Sequence, residues 1–189
     1  MKKITVFLLA LTLLAGCGEN SGYEFSDYHC NLVLDNSKHL DATLATAMDV
    51  FAPGVFCTIG YIYKGGNYYT FRNNHGLVSE KPFNGIDLRL QNNLRVGQNN
   101  GLIVGFGNLD NPPQFFAYDQ QCPNCFSLNT IPMRSYPLVV DNLGIARCSN
   151  CRREYNLNTG GNIITGQRGR PLIRYRASTS GVHGILKVY

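Results

Sequence analysis

From Gln120 to Gly161 the chain reads QQCPNCFSLNTIPMRSYPLVVDNLGIARCSNCRREYNLNTGG, and its two Cys-x-x-Cys pairs constrain the fold more than any other feature. The pairs are Cys122/Cys125 and Cys148/Cys151. A Cys-x-x-Cys turn presents two sulfurs to one ion, with intervening backbone N–H groups free to point at them. Two such turns, at the tips of adjacent hairpins, make a tetrahedral four-sulfur cage. The gap between Cys125 and Cys148 is slightly longer than the usual zinc-ribbon spacing and holds one hairpin, or a loop and a strand. The donor set accepts Zn2+, a single Fe or an iron–sulfur cluster. The alternative is two disulfides, within or across the turns. A thioredoxin-type redox pair is disfavoured, because CPNC followed by FSLNTIP does not open a helix.

The N-terminus decides which of these a cell compartment permits. MKKITVFLLALTLLAGCGEN has a basic start, Lys2 and Lys3, and an apolar run, Ile4 to Leu14, too short to span a bilayer. We read residues 1–16 as a signal peptide. Leu14-Ala15-Gly16-Cys17 resembles the lipobox of bacterial lipoproteins, which implies cleavage before Cys17 and lipid on its thiol and new N-terminus. The expected location is the bacterial cell envelope, outside the cytoplasm and anchored to membrane. Residues 17–35 are then a tether and first strand, and 36–189 the folded domain. Disulfides persist in such a compartment. Of seven cysteines, Cys30 and Cys57 are left over. A Cys30–Cys57 bridge would use both; otherwise they are buried apolar residues.

Loss of Lys2 and Lys3 with the leader lowers the net charge from +5 to +3. That is too mild to argue for nucleic acid. Frequent Gly, Tyr and Phe without Trp lean towards β structure with many turns. Leu40 to Val50 reads as one short amphipathic helix, with Leu40, Leu44, Ala45, Met48 and Phe51 at helical spacing and Pro53-Gly54 as its stop. After Val55 come short runs of β-branched and aromatic residues: VFCTIGYIY, YYTFRN, GLIVGFG, FFAYD, PLVVDN, NIITG, LIRYRAS and GILKVY. Gly, Asn, Asp and Pro punctuate them. The expectation is an all-β antiparallel sandwich or small barrel with one short N-terminal helix.

CSNCRREYNLNTGG has the frame Cys-x2-Cys-x3-aromatic-x-Leu-x2-Gly, and FFAYDQQCPNC is a strand that ends in Cys-Pro. These resemble the second and first cluster-binding boxes of Rieske iron–sulfur proteins. The resemblance runs from about Tyr61 to Tyr189 and is most specific from Phe115 to Gly166. It implies a Rieske-like β fold with a metal-binding loop lobe at about 115–166. Cys122 and Cys148 match the family's cysteines. Where the family has histidines, this chain has Asn124 followed by Cys125, and Cys151. His29, His39, His75 and His183 lie outside the boxes, as surface or hydrogen-bonded core residues. Four thiolates on a [2Fe–2S] cluster would lower its potential towards plant-type ferredoxins.

Between Arg147 and Arg176 lie seven arginines and one acid, Glu154. Arg147, Arg152 and Arg153 are candidates to support metal thiolates or to dock a partner. The alternative is a solvated basic face opposite anionic lipid headgroups. No Ser–His–Asp frame or phosphate loop stands out. The expectation is therefore a non-enzymatic protein with a structural zinc. The rival readings are an electron-transfer protein, with Fe or [2Fe–2S] and an acidic partner, and a metal-free disulfide-stapled binding module.

Overall fold

A computed structural model describes residues 24–189, so the leader and Cys17 lie outside the described residues. The fold is all-β and every strand pairing is antiparallel, in three sheets. The central sheet has six strands. In spatial order they are β11 (Arg174–Tyr175), β6 (Phe115–Asp119), β5 (Leu102–Phe106), β2 (Phe56–Tyr63), β3 (Asn67–Asn73) and β4 (Val78–Pro82). A three-stranded sheet orders β1 (Leu32–Asp35), β13 (Ile185–Val188) and β12 (Ala177–Thr179). A four-stranded sheet orders β10 (Asn162–Thr165), β9 (Glu154–Asn156), β8 (Ile145–Cys148) and β7 (Leu138–Val140).

The two-residue period of strands explains how these sheets stack. Along β5, Leu102 and Val104 join one core and Ile103 joins the other. Along β6, Ala117 faces the first core while Phe116 and Tyr118 face the second. The first core adds Leu32 and Leu34 of β1 and Leu186 and Val188 of β13. The second adds Leu138, Ala146, Tyr155 and Leu157 from the four-stranded sheet and its border. The central sheet is thus covered on both faces at β5 and β6, and those strands read as unbroken apolar runs. The Tyr118 hydroxyl, fully buried, donates to the Leu157 carbonyl at 2.7 Å and ties two of the layers together.

Among the described residues, three short helices stand in place of the single one expected: α1 (Asn36–His39), α2 (Ala42–Ala47) and α3 (Gly85–Leu90). Asp41 caps α2 by accepting from the Leu44 N–H at 2.8 Å, so the helix starts after Leu40. Leu44, Ala45 and Met48 are buried as the spacing predicted, but Leu40 and Phe51 are exposed, outside the helix. Asn84 and Asp87 form a capping box on α3. Among the described residues, no helix is long and apolar enough to cross a membrane.

Cys30 and Cys57 are free thiols, so of the two readings the bridge between them is not formed. Each sits in the first core, Cys30 donating to the Arg95 carbonyl at 3.1 Å and Cys57 wholly enclosed on β2. Burial pushes the Cys30 thiol up to about 11. Both act as small apolar residues.

Candidate metal centre

The four cysteines of the two pairs converge. All four Sγ atoms lie within 4.8 Å of one another, and all are free thiols. Two separations between the turns are 3.6 Å, from Cys122 to Cys151, and 3.8 Å, from Cys125 to Cys148. A disulfide requires about 2.05 Å. Four sulfurs at the corners of a tetrahedron about 2.3 Å from one ion stand roughly 3.8 Å apart. The cluster therefore has the donors and spacing to hold a metal ion.

The first turn hangs from β6. Asp119, the last residue of that strand, is fully buried and accepts from the Gln121 N–H at 2.7 Å, the Gln98 N–H at 2.6 Å and the Tyr175 hydroxyl at 2.7 Å. Burial raises its pKa against the pull of these donors. Gln121 in turn accepts from the Tyr136 N–H at 2.6 Å, and the Cys122 N–H donates to the Tyr136 carbonyl at 2.9 Å. The turn closes when the N–H groups of Cys125 and Phe126 both donate to the Cys122 carbonyl, at 3.1 and 2.9 Å. This turn is a loop start rather than a hairpin tip, and the loop beyond it crosses to the four-stranded sheet.

The second turn is a hairpin tip. Cys148 ends β8, opposite Leu138 of β7, and its N–H donates to the Arg153 carbonyl at 3.0 Å. The Arg152 N–H donates back to the Cys148 carbonyl at 2.9 Å, with Arg152 itself left-handed at φ 59°. The regular tail after this turn has three separate roles. Tyr155 and Leu157 are buried in the second core, and Gly160 supplies the left-handed φ of 81° that ends a 3-10 turn.

Cys122 and Cys148 are enclosed, whereas Cys125 and Cys151 reach the surface. Burial raises the Cys122 thiol, with the Tyr155 hydroxyl at 3.3 Å pulling the other way. Burial also raises Cys125, against a 3.3 Å hydrogen bond from the Asn150 amide. At Cys151 burial again pushes up, but it is outweighed by the backbone N–H and side chain of Arg153, and the thiol falls to about 6. The thiolate form, which metal binding requires, is thus favoured at Cys151 by the neighbouring Arg153.

The three candidate arginines separate. Arg153 stands beside Cys151 and also donates to the carbonyls of Gln167 and Arg168, at 2.9 and 3.3 Å. Arg152 is exposed. Arg147 is turned to Asp141 and Glu154, at 2.8 and 2.7 Å, on the outer side of the hairpin. Sequence reasoning missed Asn124 and Tyr155 as partners. The Asn124 amide donates to the Tyr155 hydroxyl at 2.9 Å and to the Arg170 carbonyl at 2.8 Å, and its oxygen accepts from the Arg170 N–H at 2.9 Å. These partners lie 31 and 46 residues along the chain, beyond any local pattern.

No protein-family model matches the sequence, and no curated protein matches it. Fold and site together define an all-β protein with a four-cysteine cluster suited to a metal ion.

Proposed function

We propose that this chain is a lipid-anchored protein of the bacterial cell envelope, a divergent relative of Rieske domains, in which Cys122, Cys125, Cys148 and Cys151 hold one structural Zn2+. The observation that carries the metal reading is the convergence of four free sulfurs within 4.8 Å. That spacing favours a single ion over a binuclear cluster, which holds its two pairs of thiolates on separate irons. Four sulfur ligands leave no open position for water or substrate, so the bound ion would link two turns and supply no catalytic step. Zn2+ suits this role because it is redox-inert and takes tetrahedral thiolate sites. The Rieske reading rests on the two boxes and on the placement of the second turn at a hairpin tip. The anchor reading rests on the Leu14-Ala15-Gly16-Cys17 motif.

Metal analysis and a visible spectrum of the full-length protein, purified from membranes, test the metal. The expected result is one zinc per chain and no colour. Iron with a reducible chromophore would replace the structural reading with electron transfer. Metal-free protein with only two titratable thiols after denaturation, those of Cys30 and Cys57, would replace it with a disulfide-stapled module. The mass of the mature N-terminal peptide tests the lipid on Cys17.

A further inference from the structure

We infer that a strip of arginines, running from the metal turns to the N-terminal tether, lies against an anionic membrane surface. This rests on the lipid-anchor reading. The strip can be followed contact by contact. Arg152 and Arg153 abut the segment 166–170, where a Cβ on Gly166 would lie 3.3 Å from the Arg153 Cα and 3.7 Å from the Arg152 carbonyl. Arg168 is exposed on that segment. Arg170 follows, bonded to Asn124 and Pro123 of the first cysteine turn. Pro123, Asn124, Arg170 and Arg174 then line a groove of about 790 Å³, whose other wall is the tether residues 24–26.

The tether is clamped in place there. The Ser26 N–H donates to the Arg174 carbonyl at 2.8 Å, and Glu24 pairs with the Arg174 guanidinium at 3.2 Å. Phe25 has Arg174 at 5.2 Å and Arg176 at 4.8 Å from its ring centre. Six residues, 18–23, separate this clamp from Cys17. Fully extended, that connection reaches about 25 Å. A lipid on Cys17 therefore holds the clamp, and the arginines around it, within about 25 Å of the headgroups.

Charge selects the surface. The neighbouring carboxylates Glu24 and Glu154 are already paired, with Arg174 and Arg147. Asp27 is exposed on the tether and subtracts one charge. Even after the double negative charge of a divalent ion on four thiolates, the strip stays positive. Each arginine near an anionic leaflet is worth about fivefold in attachment.

The test uses the lipidated full-length protein in vesicles of phosphatidylcholine alone, or of phosphatidylcholine with phosphatidylglycerol. Flotation comes first: a chain that does not float with either vesicle overturns the anchor and the reach argument built on it. Trypsin cleavage after Arg168 is then compared with cleavage after Arg89, at the end of α3, next to β4 and so at the sheet edge opposite β11. The expected result is a ratio at least fivefold lower with phosphatidylglycerol. High salt should restore it, because the Debye length at 1 M is only about 3 Å. Arg152→Glu combined with Arg176→Glu should restore it at low salt. A floating chain whose ratio is equal in the two vesicles would overturn the strip while leaving the anchor intact.

Discussion

Loss of one cysteine should cost very different amounts depending on which is removed. Cys122→Ala and Cys151→Ala each take away one of the four clustered sulfurs, so under the proposed metal reading that part of the loss is common to both. Their surroundings differ. Cys122 is fully enclosed and Cys151 is at the surface. At position 151 water can enter and occupy the fourth position on the ion, as in open zinc sites. At position 122 the deleted sulfur leaves a gap inside the second core, which costs the transfer of one to two methylene equivalents plus a cavity contribution, about 2 kcal/mol. That gap is present with or without an ion, so it lowers the unfolding free energy: Cys122→Ala should lose about 2 kcal/mol more than Cys151→Ala. Cys148→Ala should behave like Cys122→Ala, and Cys125→Ala like Cys151→Ala. Urea unfolding of the four variants in reducing buffer reads the difference directly. Equal losses, or a larger loss for Cys151→Ala, would refute the argument from enclosure.

Tyr118→Phe removes a buried donor from the Leu157 carbonyl and should lower stability by about 1–2 kcal/mol in urea unfolding. His39→Leu strips the 3.0 Å partner from Asp87, itself buried, and should cost about 3 kcal/mol, visible as a lower melting temperature. Asp119 has its pKa raised by burial, so its contribution is fully present below the ordinary aspartate pKa and is lost as pH rises through the folded value. The stability gap between wild type and Asp119→Asn should therefore widen on acidification from neutral pH towards pH 4, as denaturant titrations at several pH values would show. Arg152→Gly, at the left-handed residue after the second turn, should raise stability by up to about 1 kcal/mol. A loss there would show that the Arg152 side chain contributes more than its backbone strain costs.

Most strands legible in the sequence have a buried face or two; NIITG, which became the largely exposed β10, is an exception. GLIVGFG and FFAYD became β5 and β6, enclosed between two cores, and a continuous apolar run is what that position demands. The strands that escaped notice carry too little apolar pattern. In β4, VSEKP has no buried residue and lies at the sheet edge. In β8 and β9, IARC and EYN are four and three residues long, and tertiary packing against Phe116 and Tyr118 defines them. For α3 the capping pair Asn84 and Asp87 was readable, but Ile86, Leu88 and Leu90 are exposed, so no buried stripe announces a helix. Of the two readings open for Cys30 and Cys57, the structure has them as separate buried thiols, because even numbers of cysteines say nothing about where a core puts them.

The four ligand candidates could be read because their spacing is local, and the elements that aim them could not. Asn124 is the clearest case. Its side chain engages Tyr155 and both backbone groups of Arg170, which makes it a strut between the first turn and the segment 166–170. The sulfur that joins the cluster comes from the next residue, Cys125, and the turn closes through the Cys125 and Phe126 N–H groups on the Cys122 carbonyl. A Cβ on Gly169 would stand 2.3 Å from the Asn124 oxygen, so the strut also requires a glycine 45 residues away. The Cys125 sulfur therefore does not reach the cluster by local spacing alone. Its neighbour Asn124 is held by partners on two distant segments, Tyr155 and residues 169–170, whose packing sets the path of the turn.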